Sequence, residues 1–291
     1  MSTSLLPNPE IIISDLKLAL KEFKSIEWKE QVDSTNIILL REAKSSNSQL
    51  LRPALIGAHY QSSGKGRQGK KWSNLKGNTL MFSCAYDVIL PPDKIATLAP
   101  LAGIVACEAL RKSIGGPGSN LLTMKWPNDI YYKEAKLSGL LVEVTRPSTG
   151  KIDFNHNVIV VGMGMNLNHA KELSKQLDRP IADWISVIRD LHLDATQISH
   201  SISDLVSLIA RSWMNALDIY KSEGFARFKK IHEDMDALRG QFIDVYQEGK
   251  YVLTGESLGL NEEAQLLVRL SNDQIIPLLN VDVSIKKLGT S

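Results

Sequence analysis

The chain has 291 residues, of which 43% are hydrophobic, and a net charge of +2. That length fits one large domain or two unequal ones, and the apolar fraction is enough for a sizeable core. The near-neutral balance argues against general nucleic-acid affinity, so any basic cluster is a local feature.

The two cysteines, Cys84 and Cys107, lie in apolar segments and read as buried thiols, not as a disulfide framework or a metal site. The N-terminal stretch lacks the basic and apolar regions of a secretory signal. No apolar run reaches the ~18 residues that a membrane span needs. The expectation is a soluble cytoplasmic protein with no membrane partner.

In chain order, residues 9–24 read as a helix, with Ile12, Leu16, Leu20 and Phe23 on one side. "IEWKEQV" alternates like a strand. "DSTNIILLREAK" offers Asp33, Ser34 and Asn36 as helix-start residues. "PALIGAHY" is a short buried strand, followed by the glycine-rich stretch "QSSGKGRQGKKW" and a further strand, "NTLMFSCAYDV". Leu101, Ile104, Val105 and Ala109 space as a buried helix face, with Pro100 in the first turn and "GGPGS" as the stop. "LLTMKW", "AKLSGLLVEV" and "NVIVVGMGMNL" read as strands. Helices are expected near 180–191, 201–220 and 223–233. From residue 239 the texture changes to short strand-like pieces ("QFIDVY", "YVLTGESLGL", "AQLLVRL", "QIIPLL", "VSIKKL") set apart by turns, the pattern of a small β-barrel. The expected domains are therefore 1–238 and 239–291.

Gly64, Gly66 and Gly69 strip side chains from the glycine-rich loop, so its backbone can approach a ligand closely. Lys65, Arg67, Lys70 and Lys71 add cations, so the implied guest is anionic, a phosphate or a carboxylate. The spacing is not that of a P-loop, and a strand follows where a dinucleotide fingerprint would open a helix. On its own the loop reads equally well as a solvated basic hairpin. Further along, Pro127 stiffens a turn that presents Asn128, an amide able to read a base edge, and Asp129, a carboxylate able to hold Mg²⁺. Lys136 opens the next strand.

Taken together and in this order, "DSTN", "GKGRQGKKW", "KWPND", "KLSGLLVE" and "GMGMNLN" resemble the biotin protein ligases, from about Asp33 to Lys287. The resemblance implies an α+β fold of the class II synthetase/biotin ligase type. Its mixed β-sheet carries helices on one face, and a small SH3-like β-barrel follows. Only 32 residues precede "DSTN", which is too few for the DNA-binding domain that some members carry.

The implied chemistry joins biotin to ATP as biotinyl-AMP, then transfers biotin to a lysine of a biotin carboxyl carrier protein, the usual carrier being that of acetyl-CoA carboxylase. Lys136 and Arg67 match the catalytic residues, both facing the carboxylate and α-phosphate. Ser34, Thr35, Asn36 and Gln61 match the residues that hold the ureido ring, with Gly64 and Gly66 beside them. Plain helix capping is the structural alternative for Ser34. Trp72, Asn128, Gly164 and Asn166 match the ATP side, with Gly162 letting the nucleotide approach the sheet, and Asp129 would support Mg²⁺. Trp72 reads otherwise as a core tryptophan at a strand edge. Lys65 and Lys70 stand where many members have arginine, which keeps charge but loses the bidentate fork. The competing readings are a lipoate or octanoate ligase of the same superfamily and a non-catalytic nucleotide-binding regulator. A homodimer through exposed sheet edges is possible on this reading, with no nucleic-acid partner.

Overall fold

The computed structural model describes residues 4–148, 155–193, 198–279 and 281–286. Lys287, where the resemblance ends, and the last two residues of "VSIKKL" lie outside them.

Helix α1 (Pro9–Ala19) starts with proline at its first position and the Asn8 side chain accepting from Glu10 N. It stops short of the expected residue 24, because the chain turns at Leu20 to feed strand β1 (Ser25–Lys29). Helix α2 (Thr35–Lys44), strand β2 (Ala54–Ala58) and strand β3 (Thr79–Ile89) follow as the sequence suggested. Helix α3 (Leu98–Ile114) ends at Gly115, whose φ of 64° suits only a residue without a Cβ. Strands β4 (Leu122–Lys125), β5 (Asp129–Tyr132), β6 (Ala135–Thr145) and β7 (His156–Asn166) complete the sheet.

β5 was missed by the sequence reading, since its four residues sit between a proline turn and a tight hairpin. Helix α4 (Ala170–Leu177) was missed too. The three expected later helices are α5 (Trp184–Asp190), α6 (Ile198–Glu223) and α7 (Ala226–Glu233).

The seven strands run in the order β1-β2-β3-β7-β6-β5-β4, with β1 parallel to β2 and every other pair antiparallel. Strand alternation divides the side chains between two faces. Leu80, Phe82, Cys84 and Tyr86 of β3, and Ile159, Val161, Met163 and Met165 of β7, join the main core with α1, α3, α5, α6 and α7. On the opposite face Leu39 and Ala43 of α2 pack on Ala54, Ile56, Ala85, Val158 and Val160. The helices are thus concentrated on one face, but α2 lies on the other and covers only the β2 side of it. Beyond α2 that face carries Ser83, Gly162, Gly164 and Gly139, a floor of small side chains. Cys84 and Cys107 are both buried free thiols, each pushed up to about 12 by burial.

Strands β8 (Phe242–Gln247), β9 (Lys250–Leu260), β10 (Leu266–Arg269), β11 (Ile275–Leu278) and β12 (Asp282–Ile285) form a second sheet, antiparallel in the order β11-β10-β9-β8-β12. Among the described residues β11 and β12 do not pair, so where a small β-barrel was expected there is a five-stranded antiparallel sheet without closure. It is not detached. Ile243, Val245, Leu266, Val268, Val281 and Val283 belong to the same apolar cluster as α3 and β7, and Trp126 Nε1 donates to Ala264 O at 3.0 Å. No helix among the described residues is long and apolar enough to cross a membrane.

Candidate functional site

A cavity of about 380 Å³ opens on the small-residue floor of the first sheet. Its walls are the start of α2, the glycine-rich loop, the 125–129 turn, β6 and the last strand of the second sheet. One half is neutral and polar, the other strongly cationic.

The neutral half is built around the N-terminus of α2. Ser34 occupies the capping position, yet its hydroxyl makes no capping bond. Gln61 does that work: its Oε1 accepts from Thr35 N at 2.7 Å and from Thr35 Oγ1 at 3.3 Å. An orphan helix N–H is thereby satisfied from another segment, and the Ser34 hydroxyl is released. The network continues through Thr35 Oγ1 and Ser83 Oγ (2.6 Å), with Ser83 Oγ donating to Asn36 Oδ1 (2.6 Å). Asn36 Nδ2 then donates to Glu143 Oε2 at 2.8 Å. Such a chain fixes the orientation of every amide in it. Gly162 makes room for this: a Cβ there would lie 2.1 Å from Asn36 Oδ1.

The cationic half is built around Asp129 and Lys136. Asp129 lies opposite Gly139 in the β5–β6 pair, and a bulge shifts the register just beyond Ile130. The bulge lets Lys136 and Gly139 share a face, so Lys136 Nζ reaches Asp129 Oδ1 at 2.6 Å. Both ends of Lys136's peptide unit are clamped, with Lys136 N donating to Pro180 O and Lys136 O accepting from Ala182 N. Asn166 Nδ2 donates to Ala182 O at 3.2 Å, so that side chain braces the clamp and does not line the cavity. The cavity is also lined by Lys125 and Arg179. Burial pulls the Lys125 ammonium below the ordinary lysine value, with Asp129 acting against the shift and Lys136 adding to it.

The glycine-rich loop is a narrow hairpin. Lys65 bridges Lys71, Gly66 N donates to Lys70 O at 2.6 Å, and Trp72 N donates to Gly64 O at 2.9 Å. Its tip, Gln68-Gly69, has φ of 53° and 73°, the left-handed pair that a tight hairpin turn requires. The loop brings Arg67, Lys70 and Trp72 over the cavity. The Trp72 ring lies flat on the glycine floor: a Cβ at Gly164 would stand 2.4 Å from it, and one at Gly139 3.1 Å. Lys136 Nζ is 5.7 Å from the ring centroid, and the indole N–H is buried without a partner.

Most of the expected residues therefore converge. Ser34, Thr35, Asn36, Gln61, Gly66, Arg67, Trp72, Asn128, Asp129, Lys136 and Gly164 line one cavity; Gly64 and Asn166 do not. Four of the expected residues also make contacts within the protein. Gly162 and Gly164, which line the cavity, leave room for the Asn36 and Trp72 side chains. Asn128 spends its side-chain N–H₂ on Leu140 O, which fastens the turn to β6. Asp129 has an ammonium partner already, and no cluster of three or more candidate metal ligands occurs among the described residues. One lysine-paired carboxylate does not make a resident magnesium cage.

Ser83, Glu143, Lys125, Arg179 and Asp282 were not assigned from sequence. A signal existed for two of them. Ser83 interrupts a continuous apolar run on β3, and Lys125 opens "KWPND".

A model of the Biotin/lipoate A/B protein ligase family matches residues 28–166. Residues 28–166 therefore resemble a domain of that family. The matched span runs from β1 to the end of β7, the part of the chain that carries the cavity floor. The bifunctional ligase/repressor BirA of Escherichia coli is 28% identical, over 88% of this chain and 72% of that one. The biotin–[acetyl-CoA-carboxylase] ligase of Paracoccus denitrificans is 27% identical, over 84% of this chain and 98% of that one. Among solved structures, the biotin protein ligase of Aquifex aeolicus in complex with biotin and ATP superposes with a TM-score of 0.68 at 24% identity. It covers 91% of this chain and all of that one, a likeness of fold.

Proposed function

We infer that the protein is a biotin protein ligase: it activates biotin with ATP to biotinyl-5′-AMP and transfers biotin to a lysine of a biotin carboxyl carrier protein. One observation carries the reading above all. A neutral hydrogen-bonding cradle (Ser34, Thr35, Asn36, Gln61) adjoins a cation cluster (Arg67, Lys125, Lys136, Arg179) in a single cavity. Biotin has that polarity: an uncharged ureido ring at one end, a carboxylate at the other.

In the first step the biotin carboxylate attacks the α-phosphorus of ATP, and the bond to the pyrophosphate oxygen breaks. Anion approaches anion, so the reaction needs fixed positive charge more than acid–base help. Lys136, held by its backbone clamp and by Asp129, supplies a charge of fixed position, and Arg67 supplies a planar fork from the loop. Trp72 offers an aromatic wall to the adenine, with Asn128 on the turn below. Magnesium, carried in on the nucleotide phosphates, would offset further charge there. In the second step the carrier's amine attacks the acyl carbon of the mixed anhydride, loses a proton, and AMP departs.

The acceptor fits the carrier subunit of acetyl-CoA carboxylase, the enzyme that appears in the name of the Paracoccus denitrificans relative. A homodimer and a cytoplasmic location are parts of the same proposal. The test is pyrophosphate release on mixing with ATP, Mg²⁺ and biotin, with lipoate and octanoate as controls. Release with biotin alone is the expected result; release with lipoate or octanoate instead would move the protein to the sister activity.

A further inference from the structure

The cavity lining holds seven cationic side chains (Lys65, Arg67, Lys70, Lys71, Lys125, Lys136, Arg179) and two carboxylates. Asp129 is one, already paired with Lys136. The other is Asp282, the first residue of β12, in the second sheet. Its Oδ2 accepts from Lys70 Nζ at 2.5 Å, and its Oδ1 lies 3.8 Å from Arg67 Nη1. The preceding carbonyl, Val281 O, accepts from Arg67 Nη2 at 3.3 Å. The strand is well anchored for such a purpose. Val281 and Val283 are buried in the main core, and strand alternation turns the residue between them the other way. Pairing of Asp282 with Tyr246 of β8 fixes its height.

The glycine-rich loop is costly to order, because glycine gives up more backbone freedom than any other residue. Without nucleotide its cations face one another across a narrow hairpin and repel. A carboxylate presented from the second sheet relieves both problems at once. Burial draws the Arg67 guanidinium below the ordinary arginine value, and Asp282, followed by Asp129, acts against that shift. The partners Asp282 uses are those the phosphates of a nucleotide would need.

We propose that Asp282 is a positioning residue for the glycine-rich loop, holding Arg67 and Lys70 over the cavity in the free protein and giving them up to the phosphates of ATP. The competition with ATP rests on the function inferred above, whereas the latch in the free protein does not.

The two parts are tested on the full chain with Asp282→Asn, which keeps the side-chain shape on an edge strand. Trypsin cuts after lysine and arginine, so cleavage within residues 65–71 reports how freely the loop opens. In the ligand-free variant that cleavage should run about three- to fivefold faster than in the parent, the factor that one partly exposed ion pair supplies. The KM for ATP should fall by a similar factor with kcat unchanged, because a competing anion is gone. Asp282→Glu should restore both values toward the parent, which a merely structural role for the residue would not produce. Equal cleavage of Asp282→Asn and parent overturns the latch. Faster cleavage with an unchanged or higher KM for ATP overturns the competition. If the parent itself releases no pyrophosphate with biotin, the inferred function fails, and the cleavage comparison still decides the latch.

Discussion

Replacing Lys136 by alanine separates binding from chemistry. The ammonium sits 2.6 Å from Asp129, with only 12% of its side chain exposed, so it acts where water screens little. A unit charge about 4 Å from another is worth about 4 kcal/mol at an effective dielectric of 20, and the part that grows between ground and transition state is smaller. Removing one such fixed charge costs roughly 10²–10³-fold in rate. Arg67, Lys125 and Arg179 remain in the cavity, which argues against a larger loss. The ureido cradle draws on none of these groups, so biotin affinity should stay within about tenfold of the parent. Asp129 is left without its ion-pair partner, and its side chain is 24% exposed, so a stability loss of about 1 kcal/mol is expected. The assay is biotin-dependent pyrophosphate release, with a calorimetric biotin titration alongside. A variant that binds biotin and still releases pyrophosphate within tenfold of the parent rate would refute the role given to Lys136.

Arg67→Gly removes the fork from the loop while leaving Lys136 in place. A loss of ~2.7 kcal/mol would weaken retention of the adenylate about 100-fold. Biotin should then appear on an unrelated lysine-rich protein in the same tube, and bystander labelling no stronger than the parent's would count against the retention role. Lys125→Met should raise the KM for ATP about tenfold and at the same time raise Tm at neutral pH by about 2–4 °C, as about 1 kcal/mol of desolvation is relieved. Its folded-state pKa is lowered from 10.5, so between that lowered value and 10.5 the unfolded chain binds more protons and the parent gains stability as pH rises. The variant's thermal advantage should therefore shrink through that window, as thermal melts at stepped alkaline pH would show. Gly162→Ala drives a methyl group into Asn36 and should cut biotin affinity at least tenfold with ATP binding spared, measured by separate titrations.

The positions of most strands along the chain were legible because β2, β3, β6 and β7 are apolar runs bounded by turn residues, whereas their order in the sheet was not. β5 was not, since "DIYY" is four residues long and hidden inside a hairpin. The site was legible to the extent that its residues sit in short segments with unusual chemistry. Gln61 illustrates the limit. The sequence marks Ser34 as a helix cap, yet the bond to Thr35 N comes from Gln61, 26 positions beyond Thr35, and only the fold shows that the Ser34 hydroxyl is thereby released. Asn166 shows the reverse: a polar residue beside glycines in a suggestive segment turns inward to brace the Lys136 clamp.

The contact between the loop and the second sheet lies at the far end of that scale, because Arg67 and Val281 are 214 positions apart. Nothing local to "GKGRQGKK" requires an acidic partner, and nothing local to "VDVSI" requires a basic one. The pairing arises because Val281 and Val283 are drawn into the core that β7 and α3 already form, which leaves the intervening carboxylate facing the loop. Apolar burial thus sets the position of the charge. The cations in turn decide whether that charge is a burden: Asp282 without Arg67 and Lys70 would be a partly desolvated carboxylate, and those cations without Asp282 would repel one another in a narrow hairpin. Each side relieves a cost created by the other. An incoming polyphosphate relieves the cations' share more strongly, since it brings several charged oxygens where Asp282 brings two.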